Sequence, residues 1–365
     1  MKTFLITGGA GFFGSVLKKE LLKTGARVIS IDLQPDSYHD DHFTAVQGDI
    51  CDASLMNKLF TENHFDAVFH CAALLAHVKK DLGKLWASNV DGTRQVLTCA
   101  EEHDVPKIIF TSSNCLWAKN FDTPVQEDEP PEPIEIYGRS KWEGEKILMA
   151  SPKVHSVIFR CPTIMDEGRL GLLGILFQFI DENRKLWVVG RGTNRYQFIY
   201  ARDLAAACIA AADYPQSDIF HIGSDNVKTF NEVYQYVIDA AGSRSRIAHL
   251  PEKLTVLGMK ICFTLGISPL GPYQYKMIAS NFIFDTTKIK EKLKWHPTLT
   301  NEEMMLRAYN YYHQNKQEIL HRKNVSAHSS VAKMGIIRLI KCCLIIQIIC
   351  LHQFWSILRS IFHRL

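Results

Sequence analysis

The chain has 365 residues, 47% of them hydrophobic and 22% charged, with a formal net charge of +4. This composition excludes a disordered chain and gives room for one large domain or two. Lysine and arginine are spread along the chain without a dense basic run, so nucleic acid is excluded as the expected partner and a small-molecule substrate is expected.

The first expected element is a strand, Lys2–Thr7, too short and wrongly flanked to be a secretory signal. Ten cysteines, at 51, 71, 99, 115, 161, 208, 262, 342, 343 and 350, form neither a disulfide framework nor a paired C-x-x-C spacing. They read as reduced thiols of a cytoplasmic protein with no metal site.

The strand runs into Thr7-Gly8-Gly9-Ala10-Gly11-Phe12-Phe13-Gly14, and a helix is expected over Ser15–Thr24. Gly8 permits a tight turn, Gly11 lets backbone N–H groups approach a pyrophosphate, and Gly14 lets helix and strand pack closely. The phosphates then meet a helix N-terminus, whose free N–H groups and positive dipole end favour anions.

A second strand, Arg27–Ile31, ends at Asp32, 18 residues after Gly14. A carboxylate there accepts hydrogen bonds from both hydroxyls of an adenosine ribose and repels a 2′-phosphate. Leu33-Gln34-Pro35-Asp36 brings no cation to offset that repulsion, so NAD is the expected cofactor.

Further strands are expected at Ala67–His70 and Ile108–Thr111, with helical stretches between them. Such alternation predicts a parallel sheet with crossover helices. The fourth of these strands leads to Ser113, which sits where sheet carboxyl ends meet a cofactor cleft and offers a hydroxyl to a substrate oxygen.

About 25 residues on, Tyr137-Gly138-Arg139-Ser140-Lys141 opens a helix through Leu148 that places Tyr137 and Lys141 one turn apart on one face. A free phenol titrates near 10, so a tyrosine base working near neutrality requires a downward shift of about 3 units, or roughly 4 kcal/mol. The Lys141 ammonium and an oxidised nicotinamide act in that direction.

Strands at Val154–Phe159, Gln197–Tyr200 and Ile219–Ile222 extend the sheet. The less regular segments around them suggest a smaller, substrate-facing lobe. Leu254–Leu270 is apolar and reads as a core helix or as the wall of a greasy substrate site. Trp295 and Pro297 precede an amphipathic helix over Asn301–Ile319, beyond which 321–333 is a polar linker.

The tail, 334–365, contains an uncharged run of 17 residues, Cys342–Leu358, between Lys341 and Arg359. With Arg338 and Arg364 it reads first as an interfacial or anchoring helix that contacts a membrane surface, the alternatives being a true span, an oligomer contact or a non-native tail.

Together the glycine turn, Asp32, Gly48-Asp49-Ile50, His70-Cys71-Ala72-Ala73, Asn89-Val90-Asp91-Gly92-Thr93, Ser113, Tyr137 to Lys141 and Arg160-Cys161-Pro162 resemble the extended short-chain dehydrogenase/reductase superfamily, in its NAD-dependent epimerase/dehydratase branch. The resemblance covers residues 1 to about 315. It implies a Rossmann-type doubly wound α/β fold over 1–320, with cofactor binding mainly in 1–162 and 196–224 and a smaller substrate lobe in 163–195 and 225–320.

It further implies that Gly8, Gly11, Phe12, Phe13 and Gly14 hold the pyrophosphate and that Asp49 and Ile50 border the adenine. Ala72 and Ala73 would line the cofactor channel, Lys141 would hold the nicotinamide ribose, and Pro162 would lie near the nicotinamide. Family members commonly pair into homodimers through helices.

Departures from the family pattern narrow the function. Ser113-Asn114-Cys115 stands where dehydratases carry Thr-Asp-Glu, which argues against a dehydratase and leaves Asn114 as a substrate contact. Nucleotide-sugar epimerases have two arginines for the diphosphate; Arg195 is a candidate for the first, and Phe282-Ile283-Phe284-Asp285 supplies no second.

The reading is an NAD-dependent enzyme that oxidises a secondary alcohol, as a nucleotide-sugar epimerase. The alternatives are a sterol-like or other lipid-alcohol dehydrogenase at a membrane, and a non-catalytic NAD-binding sensor or scaffold. Ser113, Tyr137 and Lys141 together speak against the last.

Overall fold

A computed structural model describes residues 1–75, 81–265 and 271–321. In chain order the elements are β1 (Thr3–Thr7), α1 (Phe12–Lys23), β2 (Arg27–Asp32), β3 (Phe43–Gln47), α2 (Ala53–Glu62), β4 (Ala67–His70), α3 (Leu82–Trp86), α4 (Gly92–Glu102), β5 (Lys107–Ser113), α5 (Ile136–Met149), β6 (His155–Cys161), β7 (Thr163–Met165) and α6 (Leu173–Asp181). Then come β8 (Leu186–Val189), β9 (Phe198–Tyr200), α7 (Ala201–Ala211), β10 (Asp218–His221), α8 (Phe230–Ala240), β11 (Ile247–Leu250), α9 (Glu252–Thr264), α10 (Pro272–Met277), α11 (Thr287–Leu293), α12 (Asn301–Gln314) and α13 (Lys316–His321).

Seven strands form one sheet in the order β10-β6-β5-β4-β1-β2-β3. Every neighbouring pair is parallel. Strands buried on both faces read as continuous apolar runs, and β1, β2, β4 and β5 do so. On one face α1 and α7 pack Leu17, Leu21, Leu204 and Cys208 onto the sheet. On the other, α2, α4 and α5 supply Met56, Leu59, Val96 and Leu148. The fold is the Rossmann-type doubly wound parallel sheet that the sequence implies.

Two differences from the expected strands have physical causes. Strand β3 has no counterpart in the sequence reading, because Phe43–Gln47 lies at the sheet edge with no fully buried residue, and its pattern carries little signal. Phe198–Tyr200 is a strand, but it leaves the main sheet. Pro162 has no N–H with which to continue the β6 ladder, so β7 diverges and pairs with β9, Thr163 opposite Phe198.

A separate core, with Phe177, Val237, Met304 and Tyr312, joins α6, α8 and α12. Capping boxes fix where α8 and α12 begin, through Thr229 with Glu232 and Thr300 with Glu303. Helix α9, which takes in the first part of the apolar segment 254–270, buries none of its residues and so is not a core helix; 266–270 lie outside the described residues. So do the linker and tail from residue 322 onward. Among the described residues no helix is long and apolar enough to cross a membrane, and no three His, Cys, Asp or Glu side chains converge as a metal site.

Candidate active site

The sheet reverses its winding between β1 and β4, and a cleft of about 940 Å³ opens there at the strand carboxyl ends. Gly8, Gly11, Phe12, Asp32, Asp49, Ile50, Ala72 and Ala73 all line it. The turn that forms its floor has room for nothing larger than glycine. Gly8 has φ +76°, and a Cβ there would stand 2.8 Å from the Ala72 backbone. A Cβ on Gly14 would stand 2.1 Å from the Gly8 carbonyl oxygen.

Helix α1 starts at this turn with neither a side-chain cap nor an acidic residue in its first turn, so its N–H groups remain available to an anion. Phe13 is different: its side chain is buried in the core with Leu17 and Leu21, which leaves only its backbone to face a phosphate.

Asp32 already accepts from the Ala10 N–H at 3.0 Å and the Gln34 N–H at 2.9 Å. A carboxylate offers about four acceptor positions, so capacity for two ribose hydroxyls remains. Asp32 therefore shapes the turn as well as bordering the cleft.

Ser113, Tyr137 and Lys141 stand beyond this cleft on adjacent elements, Ser113 at the end of β5 and the other two in the first turns of α5. The Ser113 hydroxyl accepts the Cys115 N–H at 3.1 Å and lies close enough to the Tyr137 phenol to act on its pKa. Ser113 is register partner to Cys161, so Pro162 follows at the same end of the sheet.

Burial pushes the Tyr137 phenol well above its ordinary range, against the opposing pull of Ser113 and of the Arg169 guanidinium. Arg169 is thus a cation near Tyr137 that the sequence did not point to. The Lys141 ammonium donates to the Thr111 carbonyl at 2.7 Å and lies 4.4 Å from the Phe110 ring centroid. Its burial lowers its pKa from 10.5 to about 8.

The lowered lysine gives a first testable outcome. Between pH 8 and 10.5 the unfolded chain holds the Lys141 proton and the folded chain has released it, so stability rises with pH from this group. A gap of roughly 2.5 pH units corresponds to about 3 kcal/mol. Urea denaturation of the parent and of Lys141→Met should show a stability difference that changes by about this amount over that range, the parent gaining. Parallel curves would mean that the ammonium is not desolvated.

Arg169 has no signal in the sequence, because it lies in the irregular stretch after β7. Its guanidinium sits 5.7 Å from the ring centroid of Phe12, between the glycine turn and Tyr137. Nearby Asp166 is paired with Arg202 and Arg307 instead.

On the substrate side, Asn114 donates to the Tyr196 hydroxyl at 2.5 Å, and the Tyr196 and Tyr273 hydroxyls are 3.1 Å apart. Neither tyrosine was legible as a site residue. Arg195, the neighbour of Tyr196, is held elsewhere. It donates to the Val227 carbonyl at 2.9 Å and lines a second cavity with Ser224, Asp225 and Lys228. The structure thus sets Asn114, next to Ser113 in the chain, against Tyr196, and holds Arg195 in a separate cavity.

The acidic, proline-rich loop 127–135 is tied to its neighbours at three points. Glu127 accepts the His221 N–H, Pro130 accepts the Trp117 indole N–H, and Glu135 accepts the Tyr273 N–H.

The geometry agrees with comparisons to known proteins. The chain is 34% identical over 344 residues to the uncharacterized protein y4nG of Sinorhizobium fredii, covering 93% of this chain and 86% of that one. It is 27% identical over 344 residues to a UDP-glucose 4-epimerase of Lactobacillus helveticus, with 84% and 96% covered. The crystal structure of the Bordetella bronchiseptica enzyme WbmH in complex with NAD+ superposes with a TM-score of 0.69 at 25% identity, covering 86% of this chain and 99% of that one.

Residues 4–223 match the NAD dependent epimerase/dehydratase family as a whole, from β1 through β10. A glycine turn too tight for any Cβ, the acid behind it and a serine–tyrosine pair at the neighbouring strand end are thus explained together, and the chain belongs to the NAD dependent epimerase/dehydratase family.

Proposed function

We propose that the protein epimerises a secondary alcohol of a nucleotide sugar, with NAD retained through the cycle. The observation that carries this reading is the Ser113–Tyr137 hydroxyl pair with Lys141 behind it, at the strand ends beside a cleft shaped for a dinucleotide. In this reading Gly8, Gly11 and Gly14 let the backbone approach the pyrophosphate, Asp32 takes the ribose hydroxyls, and Lys141 holds the second ribose. Bound NAD supplies the hydride acceptor.

Tyr137 takes the hydroxyl proton of the substrate as its carbinol carbon is oxidised, and returns it when the carbonyl is reduced from the other face. Ser113 donates to the same oxygen and fixes its distance from the phenol. Arg169 favours the phenolate through its charge. The similar epimerases support the nucleotide-sugar class, and Asn114, Tyr196 and Tyr273 would be the hydrogen-bonding groups nearest to the sugar.

A second reading, net oxidation of a lipid alcohol, is favoured by Arg195, whose guanidinium is engaged in a separate cavity and not beside Asn114. Turnover separates the two. Incubation with UDP-sugars should equilibrate epimers while no free NADH accumulates. NADH released in step with product, and no sugar converted, would replace the first reading by the second.

A further inference from the structure

We propose that α9 is a membrane-docking helix that seats its outward apolar face on a lipid surface carrying acidic headgroups. Over its 13 residues α9 buries none. Leu254 is 67% exposed, Leu257 54%, Ile261 51% and Leu265, its C-terminal cap, 66%. At 3.6 residues per turn these four fall within roughly 80° of arc, a continuous outward stripe.

The inner face accounts for how the helix is held. Phe263 meets Tyr275 of α10 edge-on, with ring centroids 6.5 Å apart, and Val256 and Met259 are partly covered. Nothing among the described residues covers the outer face.

Charge selects the occupant. Lys253 and Lys260, seven residues apart, both lie along one edge of the stripe; Lys253 is exposed there, and the Lys260 ammonium rests 5.7 Å from the Tyr275 ring centroid, from which a long flexible stem can swing it toward anionic headgroups. From 252 to 276 the chain has three lysines and a single acid, Glu252. The 44 residues from 322 to 365 hold seven lysines and arginines and no aspartate or glutamate. Two apolar segments of one chain, both basic, match one anionic surface. A second copy of the chain fits less well, because four aliphatic side chains fall short of the ~800 Å² per partner that a stable interface takes.

Helix α10 connects the docked surface to the site, since it carries Tyr273, whose hydroxyl meets that of Tyr196. The inference does not depend on which substrate is turned over.

The test uses the full chain with vesicles of phosphatidylcholine alone and of phosphatidylcholine mixed equally with phosphatidylglycerol. The parent should sediment with the mixed vesicles, and amide hydrogen exchange over 252–264 should slow when they are added. Leu257→Glu with Ile261→Glu should lower the bound fraction at least tenfold, with the thermal transition and the molar mass in solution unchanged. Unchanged exchange over 252–264, or a double variant that binds as the parent does, would overturn the proposal. So would a double variant whose oligomeric mass changes, which would make the stripe a contact between copies.

Discussion

Tyr137→Phe should lower kcat by about a thousandfold, close to 4 kcal/mol in the barrier, while leaving the affinity for NAD within a few-fold of the parent. The substitution removes one hydroxyl and keeps the ring. The ring keeps its packing, so the fold should tolerate the change. In the proposed mechanism, what is lost is the group that moves the substrate's proton. Ser113 is no substitute, because an aliphatic hydroxyl is a far weaker acid than a phenol and this one already accepts the Cys115 N–H.

The parent's pH profile carries independent information. The phenol is held above its ordinary pKa, so log kcat/KM for alcohol oxidation should climb with pH as the phenolate fraction grows. In Tyr137→Phe that climb should disappear. A variant that keeps more than a tenth of the parent's turnover and the same pH dependence would remove Tyr137 from the role of base.

The second large effect is on stability. Glu145 and Arg160 are 3% and 5% exposed, and the guanidinium contacts both carboxylate oxygens, with Nε at 3.1 Å from each and Nη2 at 2.8 Å from Oε2. Ser112 donates to the same carboxylate, and the Glu127 carbonyl and the Trp117 ring hold Arg160 from other sides.

Glu145→Ala leaves a desolvated guanidinium without its counter-charge and should cost about 3–5 kcal/mol in urea denaturation. Replacing both partners, Glu145→Leu with Arg160→Met, should cost less than the single change, because no buried charge then remains. A single-variant loss under about 1 kcal/mol would mean that water reaches the site. Glu145 lies one turn beyond Lys141 on α5, so this pair also fixes how α5 sits against β5 and β6, and with it the approach of Tyr137 to Ser113.

The parts legible in the sequence were those where one local constraint dictates the residue. A turn that admits no Cβ required Gly8 and Gly14, and a strand buried on both faces required the apolar run of β4. The fixed i, i+4 spacing of a helix linked Tyr137 to Lys141.

The parts that stayed hidden depend on tertiary placement. Arg169 comes near Tyr137 only because β7 turns away at Pro162 and the chain returns toward the glycine turn. Tyr196 and Arg195 are adjacent in sequence, yet the Tyr196 hydroxyl meets Asn114 and Tyr273 while Arg195 lines a separate cavity, and composition cannot tell which of two neighbours faces inward. Lys141 was expected against the phenol on spacing alone, but a carbonyl on β5 is the partner that its ammonium reaches.

The strand order also bears on how the chain assembles as it leaves the ribosome. β1 lies inside the sheet, between β2 and β4, so pairing can start as soon as β2 emerges and grow in both directions until β6 is laid down beside β5. From then until residue 221 has been synthesised, β6 is the rim of a nascent sheet, with six of its seven residues destined for burial. An apolar rim of that kind invites pairing with other chains. The 56 residues between the end of β6 and the start of β10 therefore mark the window in which a chaperone, or slow translation at low temperature, should have the most influence on the yield of folded protein.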